Sequence, residues 1–325
     1  MHCLGIYTRQ CMGKDQENAD SRKARTRRIL RVSAHAIRDY FTQCKESVFT
    51  QHELFALLAS KKAEWQLGKS ITRQDFLTVL QQRVPLKQLV LKSAKYPSVI
   101  RMVRGNPSCF EIGLSLRKGA YISHASAAYL HDLLDTLTVL YINKEQTPKD
   151  QSLELTQAGI DTAFARSPRE STLRYRSSDP SDEIEYVLLN GKSTDCLGVV
   201  WLTKPDIGRV PVTNLARTLV DLTVRPQYGG GARMVLEAFK KAREGGIVKS
   251  GQIAELLREV EHGYPYHQAI GFLMDRAGFS KNDTRIFKTP GMKFDFYLEQ
   301  KIEKPLYDAE WRIYYPSDLV RSERD

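Results

Sequence analysis

Apolar residues recur at helical spacing in three consecutive segments of the first third of the chain. The first segment is residues 29–41, and the second begins at Thr50, which can form a capping box with Glu53. The third begins after a capping Ser70 or Thr72 and reads RQDFLTVLQQRV. The pattern predicts three short helices, and glutamine and arginine side chains lie on the outer side of the third.

The pattern changes to alternation after the third predicted helix. Residues 87–92 and 98–104 each alternate as strands, and residues 105–107, GNP, favour a turn. Residues 109–114, CFEIGL, then predict a return strand that pairs with 98–104. Three short helices followed by a β-hairpin are typical of a winged helix, whose third helix can enter the major groove of DNA.

The stretch 118–132, KGAYISHASAAYLHD, joins this region to a larger one in which strands and helices mix. The predicted strands of that larger region are residues 137–143, 171–176, 185–189, 197–202, 209–212, 293–298 and 311–315. Asn190-Gly191 predicts a hairpin turn within it. We therefore expect an α+β protein with an N-terminal winged helix-turn-helix domain and a larger mixed α/β C-terminal domain.

The predicted boundaries give a basic N-terminal arm at 1–28, a DNA-binding domain at 29–116 and a C-terminal domain at 117–325. Charge supports this division, since residues 1–120 hold 22 Lys/Arg and 9 Asp/Glu, whereas residues 121–325 hold 27 and 29. The excess of positive charge in the first third is typical of a surface that binds a phosphate backbone. A solvated basic face, or a winged helix that binds only protein, is the alternative.

Arginine and glutamine side chains suit DNA recognition because arginine can bond a guanine edge and glutamine an adenine edge. The third helix is expected to read bases, the hairpin to reach phosphate or the minor groove, and the basic arm to hold the backbone. The candidate DNA-contacting residues are Arg25, Arg27, Arg28, Arg73, Gln74, Gln81, Gln82, Arg83, Arg101 and Arg104.

Other features of the sequence indicate what we do not expect. The five cysteines are scattered and odd in number, which suits a reducing compartment, and no run of about 20 apolar residues predicts a membrane helix. No histidine or cysteine cluster has a standard metal-ligand spacing. We expect a cytoplasmic protein without metal, cofactor or membrane segment, and not an enzyme.

One arrangement keeps an enzymatic alternative open. The segment DFYLEQK places Asp295, Glu299 and Lys301 at even spacing, so an extended strand would carry all three on one side. Carboxylates with a lysine are what a metal-dependent nuclease needs. The other alternative is a protein-interaction module.

Several motifs together resemble the AbiEi antitoxins of bacterial type IV toxin–antitoxin systems. They are LRKGAYISHASAAYLHDL (116–133), LYIN (140–143), LLNGKSTDCLGV (188–199), PVTNLARTLVDLTVRPQYGGGARMVLEAF (211–239), YPYHQAIGFLMDRAGF (264–279), FDFYL (294–298) and WRIYYP (311–316). The resemblance covers roughly residues 70–316. Members of that family commonly read L-H-G-L where this chain has residues 130–133, LHDL, so the helix is expected to run on here.

The resemblance implies a phage-defence function. Its winged-helix domain would bind inverted repeats in the operon's own promoter as a transcriptional repressor, and its C-terminal domain would supply antitoxicity. The functional partner would be a nucleotidyltransferase toxin, without need of a stable complex between the two proteins. The family supplies no catalytic residues to transfer to this chain. A module that binds the toxin directly is the alternative form of the antitoxin function.

Overall fold

The computed structural model describes residues 21, 24, 33–68, 71–148, 154–179 and 182–319. The chain forms two compact units. The N-terminal unit comprises Met1–Leu91 and Ser98–Pro107, and the C-terminal unit comprises Lys92–Pro97 and Ser108–Asp325. Among the described residues, no helix combines the length and apolar character needed to cross a membrane.

In the described part of the N-terminal unit, three helices and the three strands of an antiparallel sheet are interspersed along the chain. Its elements are α1 (Ala34–Gln43), β1 (Val48–Phe49), α2 (Gln51–Lys61), α3 (Arg73–Arg83), β2 (Leu86–Lys92) and β3 (Val99–Arg104). The strands lie in the order β1-β3-β2. Thr50 with Glu53, and Thr72 with Asp75, form the capping boxes that start α2 and α3. The three predicted helices are therefore present, and residues 29–32 of the first predicted segment lie outside the described residues.

The core of this unit lies between the helices and one face of the sheet. Ile37, Leu54, Phe76 and Leu80 are fully buried there. Trp65 stacks on Phe76 with the ring centroids 5.9 Å apart. This packing fixes which side of α3 points inward and therefore which side chains it presents outward.

The hairpin of the N-terminal unit differs from the prediction. β3 pairs with β2, not with residues 109–114, and the chain turns between Lys92 and Val99. The segment Cys109–Ser115 is a helix, α4, in the C-terminal unit. Ser108 accepts a hydrogen bond from the Glu111 N–H and starts that helix with a capping box, which is a helix signal that the alternation of CFEIGL concealed.

The C-terminal unit is built on a six-strand arrangement in the order β6-β7-β5-β4-β9-β8. These strands are β4 (Tyr121–Ile122), β5 (Val139–Glu145), β6 (Arg174–Ser177), β7 (Glu185–Gly191), β8 (Val199–Lys204) and β9 (Gly208–Thr213). The pairs β5–β7 and β4–β9 are parallel, and the other neighbouring pairs are antiparallel. A second sheet has the order β10-β12-β11, with β10 (Phe296–Tyr297), β11 (Pro305–Asp308) and β12 (Ile313–Pro316).

Helices cover these sheets and form most of the larger core. They are α5 (His124–Leu130), α6 (Gln157–Phe164), α7 (Leu215–Val224), α8 (Ala232–Glu244), α9 (Ser250–Val260), α10 (Tyr266–Arg276) and α11 (Lys281–Thr284). Short 3-10 turns lie at Pro226–Tyr228, Arg285–Lys288 and Ser317–Leu319. Gly271 of α10 lies against the ring of the buried Trp311, where any side chain would overlap the indole. The mixed helix and sheet architecture confirms the α+β class at this level.

Two local expectations in this unit are wrong. Asn190-Gly191 is not a turn, because β7 continues to Gly191 and pairs in parallel with Glu145 of β5. A Cβ at Gly191 would lie 2.7 Å from Oδ1 of Asn143, so the glycine permits close packing instead of a reversal. Helix α5 does not run on past residue 130, since Asp132 adopts a left-handed φ of 60° that aspartate tolerates.

Candidate nucleic-acid interface

The outer side of α3 carries the predicted base-reading residues. Arg73, Gln74, Gln81, Gln82 and Arg83 are all exposed, whereas the opposite side of the helix is buried. The helix is held at its start because the Thr72 hydroxyl accepts a hydrogen bond from the Asp75 N–H, at 3.2 Å. The Asp75 carboxylate in the first turn also interacts favourably with the positive end of the helix dipole.

Helix geometry divides these exposed residues. At about 100° per residue, Gln74 and Gln81 project in nearly the same direction, and Arg73 and Gln82 lie at the two borders of that face. Arg83 projects to the opposite side and is exposed because it lies at the helix end. The predicted set is therefore one amide-rich face of four residues, with Arg83 apart from it.

Two neighbours of this face were not predicted. Thr78 lies between Gln74 and Gln81 on α3, half-buried, with its hydroxyl donating to the Gln74 carbonyl at 3.0 Å. The Arg73 guanidinium lies over the ring of Phe55 in α2, 5.0 Å from its centroid. This cation–π contact steadies the arginine at the border of the face.

The two arginines predicted on the wing are engaged within the protein. The Arg101 side chain is only 8% exposed, and its Nη1 donates to the Ile100 carbonyl at 2.9 Å. Burial lowers the pKa of Arg101, while Glu53 acts in the opposite direction. Arg101 lies on β3, the central strand, where residues on both faces are covered. This burial conflicts with the expected phosphate contact, so we remove Arg101 from the proposed contacts.

Arg104 is half-buried and holds the segment between α1 and β1. Its Nη2 donates to the carbonyl oxygens of Cys44 at 2.6 Å and Glu46 at 3.4 Å. These are bonds that an arginine reserved for phosphate would lack. We therefore assign Arg104 a structural role.

Replacing Arg104 with alanine is expected to destabilise the N-terminal unit by about 1–3 kcal/mol, because the carbonyls of half-buried Cys44 and exposed Glu46 lose a charged donor. Urea unfolding followed by circular dichroism measures this loss. The matched control is Arg38→Ala, since Arg38 is exposed and donates to a single carbonyl, that of Arg83. Equal stability of the Arg104 variant and the control would contradict the structural role.

The remaining basic candidates are the three arginines of the predicted arm and a lysine on β2. Arg25, Arg27 and Arg28 of the predicted arm lie outside the described residues. Lys87 on β2 is exposed and was not predicted as a contact. Lys87 lies in the alternating segment LKQLVLK, which is part of the observed hairpin. The sequence pattern placed the hairpin at 98–104 and 109–114 instead, so Lys87 fell outside the predicted hairpin.

The residues of the nuclease alternative have separate partners. Asp295 accepts from Arg312 Nε at 2.9 Å and from the Tyr307 hydroxyl at 2.7 Å, and these bonds hold its pKa below the ordinary value. Glu299 accepts instead from the Ala232 N–H at the start of α8, at 3.0 Å, and burial raises its pKa.

Strand β10 contains only two residues, so the alternation that placed the three side chains on one side does not extend to Lys301, which has a left-handed φ of 54°. No group of three or more His, Cys, Asp or Glu that could hold a metal occurs within the described ranges. These contacts do not favour a nuclease site.

A buried polar network lies beside the central strands of the C-terminal unit. Arg217 and Asp221, one turn apart on α7, form an ion pair at 2.8 Å with side chains 3% and 8% exposed. The Arg217 Nη1 also donates to the Leu197 carbonyl at 2.9 Å. The Glu145 carboxylate accepts from the backbone N–H groups of Thr194 at 2.7 Å and Cys196 at 3.2 Å. The network therefore fixes the loop before β8 to the end of β5 and to α7.

His124 is a second buried polar group, at the start of α5. It is 5% exposed, has a φ of 53°, and its Nδ1 lies 2.8 Å from the Ser123 hydroxyl. Its ring meets that of Tyr228 edge-on at 5.4 Å. Burial, together with Arg225 and Arg217, lowers the pKa of His124 to about 3.

The His124→Asn variant is expected to lose less stability than the wild type as the pH falls. Below the ordinary pKa of 6.5 the unfolded chain binds a proton that the folded His124 refuses, so stability falls with pH until about pH 3. The slope due to this residue is up to about 1.4 kcal/mol per pH unit. Asparagine tolerates the positive φ but does not titrate. Urea unfolding at several pH values tests this, and parallel curves for the two proteins would contradict it.

Comparisons with known proteins bear on the fold. A scan against models of protein families finds no match, and a search of curated proteins finds none. Among solved structures the chain is similar to the crystal structure of the RV2827C protein from Mycobacterium tuberculosis, with a TM-score of 0.54 and 13% sequence identity. The match covers 90% of this chain and 94% of that one. At this level of identity, the likeness concerns the fold alone.

Proposed function

We propose that this protein binds double-stranded DNA through its N-terminal unit and represses its own promoter. The element order α1-β1-α2-α3-β2-β3, with strands in the order β1-β3-β2, supports the assignment of a winged helix in this proposal. In that arrangement α3 is the helix that enters the major groove. The observation that carries the proposal is the outer face of α3, where exposed amide and guanidinium side chains lie opposite the buried Phe76, Val79 and Leu80.

The chemistry of this face matches base edges. A glutamine amide can donate to adenine N7 and accept from the adenine N6 amino group, and Gln74 and Gln81 lie one above the other on the helix. Arg73 at the border suits a guanine O6/N7 edge. Because the Arg73 side chain is already held against Phe55, it loses less conformational entropy when it binds DNA.

Phosphate contacts would come from the basic surroundings of this face. With 22 Lys/Arg against 9 Asp/Glu in residues 1–120, the N-terminal third carries the net excess of positive charge of the chain. Exposed Lys87 replaces buried Arg101 and half-buried Arg104 in the proposed contacts, alongside Arg25, Arg27 and Arg28 of the arm. Two copies of the protein on an inverted repeat would give the matching two-fold symmetry.

The antitoxin part of the proposal rests on the resemblance to AbiEi antitoxins. In that function the C-terminal unit counteracts a nucleotidyltransferase toxin in a type IV phage-defence operon. Co-purification of the protein with the product of a neighbouring gene tests whether the antitoxin binds the toxin directly. A stable complex would favour an interaction module. If no complex forms and the cell is still protected from the toxin, an antitoxin that acts without a stable complex is favoured.

Fluorescence anisotropy of the full chain on its own upstream DNA, against shuffled DNA of equal length, tests the repressor proposal. We expect tighter binding to the upstream DNA, and a logarithmic salt slope of about 0.9 for each phosphate neutralised. The Lys87→Gln variant should bind both DNAs more weakly and reduce the slope by about 1. Equal affinity for both DNAs in the wild type would leave only a basic surface and would contradict sequence-specific repression.

A further inference from the structure

A cleft in the C-terminal unit gathers three arginines that the proposed DNA-binding function does not use. Its volume is about 520 Å³. We call it the arginine cleft, and its defining residues are Arg166, Arg169, Arg225, His262, Tyr264 and Glu299. The volume is within the range of about 300–1,000 Å³ that small-molecule sites occupy.

The arginines come from two separate segments of the chain. Arg166 and Arg169 follow the end of α6, and Arg225 is the residue that ends α7. All three are exposed. Arginines that line one cleft from different segments are suited to bidentate binding of phosphate oxygens.

The one carboxylate in the arginine cleft does not cancel this charge. The Glu299 Oε2 accepts a hydrogen bond from the Ala232 N–H, at 3.0 Å, at the start of α8. The positive end of that helix therefore holds the carboxylate. Arg225 is exposed and lines the cleft, and its guanidinium lies over the ring of Tyr228, 5.9 Å from the ring centroid.

The wall of the cleft adds an aromatic surface and a polar atom that lacks a partner. Tyr264 is half-buried, and its ring stacks on Phe296 at 6.3 Å and meets Phe164 edge-on at 5.4 Å. The buried Nε2 of His262 has no hydrogen-bond partner among the described residues. Burial, with Lys192 the first of the nearby charges, lowers the pKa of His262 to about 3, so the ring is neutral.

We propose that the arginine cleft binds a nucleoside di- or triphosphate. Its phosphates contact Arg166, Arg169 and Arg225, and its base packs against Tyr264. Base–aromatic packing and arginine–phosphate pairing each contribute favourable binding free energy in a partly enclosed site. This binding is separate from promoter recognition by α3.

Isothermal titration calorimetry of the full chain with ATP, GTP, pyrophosphate and adenosine tests the proposal. We expect ATP or GTP to bind more tightly than either pyrophosphate or adenosine, with affinity falling as salt rises. The Arg225→Gln variant and the Arg166→Gln/Arg169→Gln double variant should each raise the Kd roughly tenfold or more. The matched control is Arg233→Gln, an exposed arginine of α8 outside the cleft, which should bind as the wild type does.

Several results would overturn the proposal. Absence of binding at millimolar ATP and GTP would do so, as would equal affinities of the cleft variants and the control. If adenosine bound as tightly as ATP, the arginines would have no role in binding. If pyrophosphate bound as tightly as ATP, the base would have none. Tighter binding of a single-stranded oligonucleotide than of any mononucleotide would assign the cleft to nucleic acid. If the double variant unfolds by circular dichroism, Arg225→Gln and the salt dependence of the wild type still decide the outcome.

Discussion

Replacing Arg217 with alanine is expected to destabilise the C-terminal unit by about 3–5 kcal/mol, the usual cost of breaking a buried ion pair. The substitution strands Asp221, whose Oδ2 is already buried without a partner among the described residues. It also removes the donor to the Leu197 carbonyl and to the Thr194 hydroxyl, at 2.9 and 3.2 Å. Burial raises the pKa of Asp221 although Arg217 lowers it, so loss of the arginine drives the carboxyl toward its neutral form. Urea unfolding monitored by circular dichroism gives the change.

Two further variants separate the ion pair from the loss of side-chain volume. Arg217→Met combined with Asp221→Leu removes both charges and should cost less than Arg217→Ala alone, because no charge is left unpaired. Arg233→Ala, on an exposed part of α8, should change stability by no more than about 0.5 kcal/mol. A double variant as unstable as the single one would show that shape, and not charge, is what Arg217 contributes.

The Gln74→Ala/Gln81→Ala variant is expected to lose most of its preference for upstream DNA while keeping its affinity for shuffled DNA. Each bidentate glutamine–adenine contact contributes about 1–3 kcal/mol of discrimination, and neither side chain supports the core. Competition between the two DNAs in anisotropy titrations measures the ratio of affinities directly.

The matched control for this variant is Gln43→Ala, which removes an exposed amide from the end of α1 in the same unit. The control should retain the wild-type ratio. Equal losses on both DNAs for the Gln74→Ala/Gln81→Ala variant would assign the two residues to backbone contact or to stability. An unchanged ratio would exclude this face of α3 from base reading.

The helices of the N-terminal unit could be predicted because their start signals are local. Thr50 with Glu53 and Thr72 with Asp75 lie three residues apart, and the apolar period follows directly. The hairpin could not be predicted with the same certainty, since 98–104 had two alternating neighbours and only tertiary packing selects between them. The capping box of Ser108 with Glu111 was the one local signal that favoured the helix.

The site residues show the same division between local and long-range information. Exposure of Gln74 and Gln81 follows from the helical period alone. Burial of Arg101 depends on β3 being the central strand, and the role of Arg104 depends on a carbonyl 60 positions away, so neither can be read from alternation. The cleft around Arg225 is likewise assembled from segments distant in sequence.

The most direct test of the central claim is dimethyl sulfate protection of the upstream DNA by the full chain, because this reagent methylates guanine N7 in the major groove. We predict protection at two half-sites related by an inverted repeat, separated by about one helical turn or a multiple of it. The Gln74→Ala/Gln81→Ala variant should lose that pattern, whereas Gln43→Ala should keep it. Uniform methylation with wild-type protein bound, or the same protection with the α3 variant, would contradict reading of the major groove by α3.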